Sequence, residues 1–145
     1  MAIVLKRLVP VDEGVLTNVA EGVFDEPVRP DLTRRFLATE TYRIVVALDG
    51  DVVVGMATGF THFHPDKDEE FFVNELGVAD AYLRRGIATQ LLRAILAEAK
   101  AMGCGEAWLG TEHTNIPALG LYRKVMSGGD TEEAMSVFTF ELGDR

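Results

Sequence analysis

The sequence predicts a mixed α/β fold of the α+β type, and three observations carry that expectation. Two β-branched, apolar runs, Tyr42 to Leu48 and Val52 to Phe63, flank Asp49-Gly50-Asp51, a short turn with strong hairpin character. From Gly86 to Met102, the residues Ile87, Leu91, Leu92, Ile95, Leu96, Ala99 and Met102 recur at helical spacing. The element order β, α, α, β, β, β, α, β, α, β combines an antiparallel meander with crossover helices, so the sheet is expected to be mixed.

Taken in order, Ile3 to Val9 is β-rich and ended by Pro10, a first strand. Asp12 is expected to cap a helix with Val15, Leu16, Val19 and Ala20 turned inward and Gly22 as its stop. Phe24 to Pro30 holds Pro27 and Pro30 and reads as a loop. Asp31 then opens a second helix through Thr39, with Leu32, Arg35, Phe36 and Leu37 on its inner face. After the hairpin, Pro65 to Glu70 reads as an acidic loop and Phe71 to Val78 as a strand. Gly103 is placed for the left-handed residue that ends the long helix. Glu106 to Thr111 is a short strand, Asn115 or Pro117 starts a last helix through about Val125, and Ser136 to Leu142 returns as strand.

With 145 residues and 48% hydrophobic content, the chain is expected to be one domain over residues 1–145. Its 14 basic and 23 acidic side chains give a net charge of −9, which argues against nucleic acid or an anionic membrane as partner. An amine-bearing substrate suits that charge. Cys104 is the only cysteine, so no intrachain disulfide forms and a reducing compartment is expected. No base or cation adjoins it in sequence, which speaks against a catalytic thiol. No run approaches the roughly 20 apolar residues of a membrane span, and the N-terminus lacks the order of a secretion signal, so the expected location is cytoplasmic.

The chemistry-bearing segment is Val73 to Thr89, VNELGVADAYLRRGIAT. It passes from an apolar run through Glu75 to a basic glycine turn and straight into the long helix. Such a turn leaves backbone N–H groups of the first helical turn without acceptors, at the positive end of the helix dipole. Gly86 keeps a side chain out of the way, Arg84 and Arg85 add charge and donors, and Thr89 offers a hydroxyl one turn in. The segment therefore reads as a pyrophosphate cradle. Neither GxxxxGK[ST] nor GxGxxG is present, which argues against a nucleotide-binding domain of those kinds.

The strand Glu70 to Val78, the turn Leu83-Arg84-Arg85-Gly86-Ile87-Ala88 with its helix, the strand at Trp108 and NIPALGLYRK resemble the GNAT superfamily of acyl-CoA-dependent N-acetyltransferases over nearly the full chain. FLATETYRIVVALDGDVVVGMATGF, LRRGIATQLL and PALGLYRKV resemble in particular its aminoglycoside 3-N-acetyltransferases. The resemblance implies a GNAT-like, mostly antiparallel central sheet of about six or seven strands flanked by about four helices. It also implies acetyl-CoA as acyl donor and a small primary amine as acceptor. Its functional residues fall on Leu83, Arg84, Arg85, Gly86, Ile87, Ala88 and Thr89 for the pyrophosphate, and on Leu76, Gly77 and Val78 for the pantetheine arm, with Asn115 bonding that arm too. Glu75 is the expected general base and Tyr122 the expected general acid. Two departures stand out: Leu83 holds a position that is usually Gln or Arg, and Met126-Ser127-Gly128-Gly129 replaces a common Gly-Phe pair.

A non-catalytic acyl-CoA-binding or sensing module is the alternative, although the presence of both Glu75 and Tyr122 weighs against it. The resemblance further implies a homodimer contact through a sheet edge or the strand at Ser136 to Leu142. His62 and His64 share one strand face with Asp66 close behind, but spacing fixes no third ligand and no metal is assigned. His113 ranks below Glu75 as a base.

Overall fold

The computed structural model describes residues 2–144. Five strands form one sheet in sequence order: β1 (Ile3–Arg7), β2 (Tyr42–Asp49), β3 (Val52–His64), β4 (Lys67–Val78) and β5 (Glu106–Trp108). Neighbours are antiparallel except β4 and β5, which run parallel, so the sheet is mixed as expected. The helices are a 3-10 helix at Pro10–Thr17, α1 (Pro30–Ala38), α2 (Ile87–Ala101) and α3 (Ile116–Val125), with a 3-10 turn at Asp80–Tyr82.

The β2–β3 hairpin sits on the predicted turn. Val53 to Gly59 of β3 is buried without interruption, because both faces of the strand are covered. On one face α2 seats Ile87, Leu91, Leu92 and Ile95 against Val45, Val54, Phe71 and Val73. The opposite face packs Ile44, Val46, Val53 and Met56 against Leu8, Leu16 and Val23. Strand alternation assigns consecutive residues of β2 to the two cores, and the helical stripe of α2 supplies one of them. Gly103 follows α2 in the left-handed region at φ +88.

Several expectations need correction. The sheet has five strands, not six or seven, because Ser136 to Leu142 joins no ladder; Phe138, Phe140 and Leu142 are exposed. β5 stops at Trp108 rather than Thr111, which leaves a three-residue edge with few groups to pair. The first helix is 3-10, and its N-cap is Val9 rather than Asp12. Asp12 instead reaches back, its Oδ2 accepting from the Val9 N–H at 2.9 Å. Gly14 and the β-branched residues of PVDEGVLT are poor α-formers, which fits the shorter repeat. The acidic stretch before Phe71 is strand from Lys67 onward, since Glu70 pairs with His62 of β3 and the ladder outweighs weak intrinsic preference.

Among the described residues no helix is long and apolar enough to cross a membrane.

Candidate active site

β4 is the spine of the site. It pairs with β5 only through Glu70, Phe71 and Phe72, opposite Glu106, Ala107 and Trp108. Beyond Phe72 it continues to Val78 with β3 as its partner, so its other edge carries backbone groups that no ladder uses. The ladder is irregular between Thr58 and Gly59, where β4 inserts Asn74 between Val73 and Glu75. A bulge re-aims the residues around it. The extra residue is Asn74.

Gly77 serves a different close approach. A Cβ there would collide with the carbonyl oxygen of Val23, so the loop after the 3-10 helix lies directly on β4. Because alternate residues share a face, Glu75 points to the same side as Gly77, whereas Leu76 and Val78 pack toward α2. Tyr122 of α3 also packs against the α2-side core. Glu75 and Tyr122 thus stand on opposite sides of β4.

Glu75 is half-buried, and burial first and the Asp25 carboxylate second push its carboxyl above the ordinary range. Burial likewise raises the Tyr122 phenol. A carboxylate with an elevated pKa is a better base at neutral pH, and such a phenol keeps its proton until a strong base appears. Cys104 is pushed up by burial and then by Glu69, the opposite of an activated thiol.

Asp25 belongs to a cleft of about 620 Å³ between the 3-10 helix, the following loop and α1. Four carboxylates line it, Glu13, Glu21, Asp25 and Glu26, against a single cation, Arg34, whose Nε lies 3.3 Å from Glu13 Oε2. Of these, Asp25 acts on the Glu75 carboxyl, whereas the acidic stretch at Asp66 to Glu70 lies at the turn end of the β3–β4 hairpin. Asp25 and Glu21 gave no sequence signal, because only folding lays their loop over β4.

At the other side of the spine, the turn has the predicted form. Arg84 is in the left-handed region at φ +63 and Gly86 at φ +77, with no atom within 4 Å of a Cβ built on Gly86. No side chain caps α2. The amide of Gln90 bonds Gly86 O at 3.1 Å, which leaves the preceding amides as the ones a helix cannot satisfy itself. Open space, unused amides and a basic turn fit a diphosphate. Ile87 is core, so only its backbone faces that role, and Ala88 and Thr89 are half-buried beside it. Leu83 is exposed and offers no polar group.

Two residues that the sequence did not reveal brace this turn. Tyr82 donates its phenol to Asp49 Oδ2 at the β2–β3 hairpin, and the Arg85 guanidinium lies over the Tyr82 ring, 5.0 Å from its centroid. Arg85 is thereby oriented by stacking, while Arg84 projects from the turn. Asn115 caps α3, its Oδ1 accepting from the Ala118 N–H at 3.2 Å. His113 lies in the exposed segment between β5 and α3.

A strand with a free edge, an amide-rich helix start beside it, and a carboxyl and a phenol on its two sides fit an acyl-transferase class of architecture. Residues 15–127 match the model of the acetyltransferase (GNAT) family, and the chain belongs to that family. Over 103 residues it is 36% identical to the N-alpha-acetyltransferase RimI of Mycobacterium tuberculosis (strain ATCC 25618 / H37Rv), a match covering 71% of this chain and 63% of that protein. The chain therefore spans less than two thirds of that relative.

Among solved structures, the aminoglycoside acetyltransferase meta-AAC0020 from an uncultured soil metagenomic sample superimposes with a TM-score of 0.77 at 18% identity, covering 96% of this chain and 97% of that one. AAC(6')-Iy in complex with a bisubstrate analogue gives 0.78 at 15% identity, covering 97% and 99%. Identities this low establish a common fold. Aminoglycoside acetyltransferases are thus among its structural relatives, and these relatives lend no particular support to a 3-N subtype.

Proposed function

We propose that this protein transfers the acetyl group of acetyl-CoA to a primary amine of a small cationic molecule of the amino-sugar type. The observation that carries the reading is the juxtaposition on β4: a free strand edge beside the open, left-handed turn of α2, with Glu75 close enough to Asp25 of the acidic cleft to feel its charge. Acetyl-CoA supplies the activated acyl group as a thioester. Amides of Gly86, Ile87, Ala88 and Thr89, with Arg84 and Arg85, hold the diphosphate, and the edge at Leu76 to Val78 bonds the pantetheine amides. An N–H of that edge, that of Leu76, faces the thioester carbonyl. Asn115 acts here through capping α3, which carries Tyr122.

Glu13, Glu21, Asp25 and Glu26 attract and orient the protonated acceptor. Glu75, directly or through water, takes the amine proton as the amine attacks, and Tyr122 returns a proton to the departing thiolate. No metal is needed for this transfer. The sequence resemblance implies attack by the 3-amino group when the acceptor is an aminoglycoside, and product analysis reads that regiochemistry.

A peptide α-amine is the second reading, favoured by the identity to an N-alpha-acetyltransferase. An amine panel with acetyl-CoA, following thiol release, tests both: aminoglycosides, spermidine and short peptides are compared by kcat/KM. Turnover of aminoglycosides supports the first reading and turnover of peptides the second. Coenzyme binding without turnover of any amine would leave an acyl-CoA-binding module. The exposed Ser136 to Leu142 segment is the proposed homodimer contact, and light scattering would read a dimer as a doubled mass.

A further inference from the structure

The end of the sheet remote from the cleft gathers three side chains that acetyl transfer does not use. His62 and His64 lie on one face of β3, and Glu70 of β4 stands opposite His62 in the ladder. Nε2 of His62 is 3.4 Å from Glu70 Oε1, and Nε2 of His64 is 3.7 Å from the same oxygen. One ligand atom from each residue lies within 4.8 Å of the others.

We propose that His62, His64 and Glu70 form a divalent-cation site of the zinc-preferring kind. A tetrahedral ion with bonds of about 2.0–2.1 Å holds its donors roughly 3.4 Å apart, close to both nitrogen–oxygen separations, so little movement is needed for capture. Two imidazoles and a carboxylate suit Zn²⁺ and its first-row neighbours, whereas Mg²⁺ and Ca²⁺ prefer all-oxygen sets. Three protein donors leave a fourth position for water.

The surroundings favour this arrangement. The Phe60 ring lies 5.9 Å from that of His62, and the two imidazoles meet edge to face at 5.4 Å. Asp66, the carboxylate nearest in sequence, is turned to Lys67 Nζ at 2.9 Å, so Glu70 is the third donor. The three side chains are 22–44% exposed, open to an ion from solution. A bound ion would clip β3 to β4 where the ladder is irregular between His62 and His64.

The test is calorimetric titration of chelator-treated protein with Zn²⁺, together with the visible absorption of the Co²⁺ form. One equivalent is expected to bind, with spectra of a four-coordinate ion and a rise in Tm. Glu70→Gln and His64→Gln should each weaken binding at least about tenfold, the loss that even outer-shell changes at metal sites bring. Cys104→Ser and His113→Gln should leave it unchanged. Absence of saturable binding overturns the proposal, as does equal affinity in His64→Gln. His64 is the most exposed of the three, so that variant remains informative if Glu70→Gln fails to fold.

Discussion

The backbone of Gly77 and the carbonyl of Val23 are in such close contact that no side chain fits between them. This contact ties the loop bearing Glu21 and Asp25 to the strand bearing Glu75, so it sets the distance between the acidic cleft and the Glu75 carboxyl.

Gly77→Ala is therefore expected to destabilise the protein by about 1–3 kcal/mol, the usual cost of overpacking against an unyielding neighbour. Urea denaturation measures it. A stability equal to that of the parent protein would mean that the loop moves aside freely.

Gly86→Ala tests the opposite kind of glycine. There is space for the methyl group, but φ +77 is a left-handed conformation that costs a non-glycine residue on the order of 1 kcal/mol or more. Weaker coenzyme A binding by calorimetry is expected to accompany the loss of stability, because the helix start must shift to relieve the strain.

Tyr122→Phe keeps the packing against the α2-side core while removing the phenolic proton. A fall in kcat on the order of 10²-fold is expected with coenzyme A affinity nearly intact. Unchanged turnover would remove Tyr122 from the acid role.

Glu75→Gln is expected to lower kcat/KM by about 10²–10⁴-fold across the pH range. Its stability effect has a definite sign. Burial and Asp25 raise the folded carboxyl above its ordinary 4.5, so the folded state binds the proton more tightly than the unfolded chain. The stabilisation contributed by Glu75 is complete below that ordinary value and is lost as pH rises through the folded pKa. Denaturation of parent and variant at acidic and neutral pH should show the parent losing stability relative to Glu75→Gln over this interval.

Asp25→Asn removes the second cause of the raised Glu75 carboxyl while leaving burial, the first. The acid limb of the kcat/KM profile should move to lower pH, and KM for a cationic acceptor should rise. A profile identical to the parent's would detach Asp25 from the site.

The hairpin around Asp49-Gly50-Asp51, the apolar stripe of α2 and the glycine turn before it were legible in the sequence, because each is encoded by residues close along the chain. The same locality explains the errors. Ser136 to Leu142 has a strand-like composition, but a strand needs a partner edge, and β5 offers only Glu106 to Trp108. Asp68 to Glu70 read as a loop because their pairing to β3 is a ladder property rather than a propensity.

By itself, the sequence determined which segments become strands and helices over most of the sheet, where the basic glycine turn falls, and that a carboxyl and a phenol stand on β4 and the last helix. Tertiary structure alone decided that Asp25 lies near Glu75, that Tyr82 and Asp49 brace the turn, and that Glu70 joins two histidines. Those relations join residues up to dozens of positions apart, and no local periodicity encodes them; strand register and loop docking do.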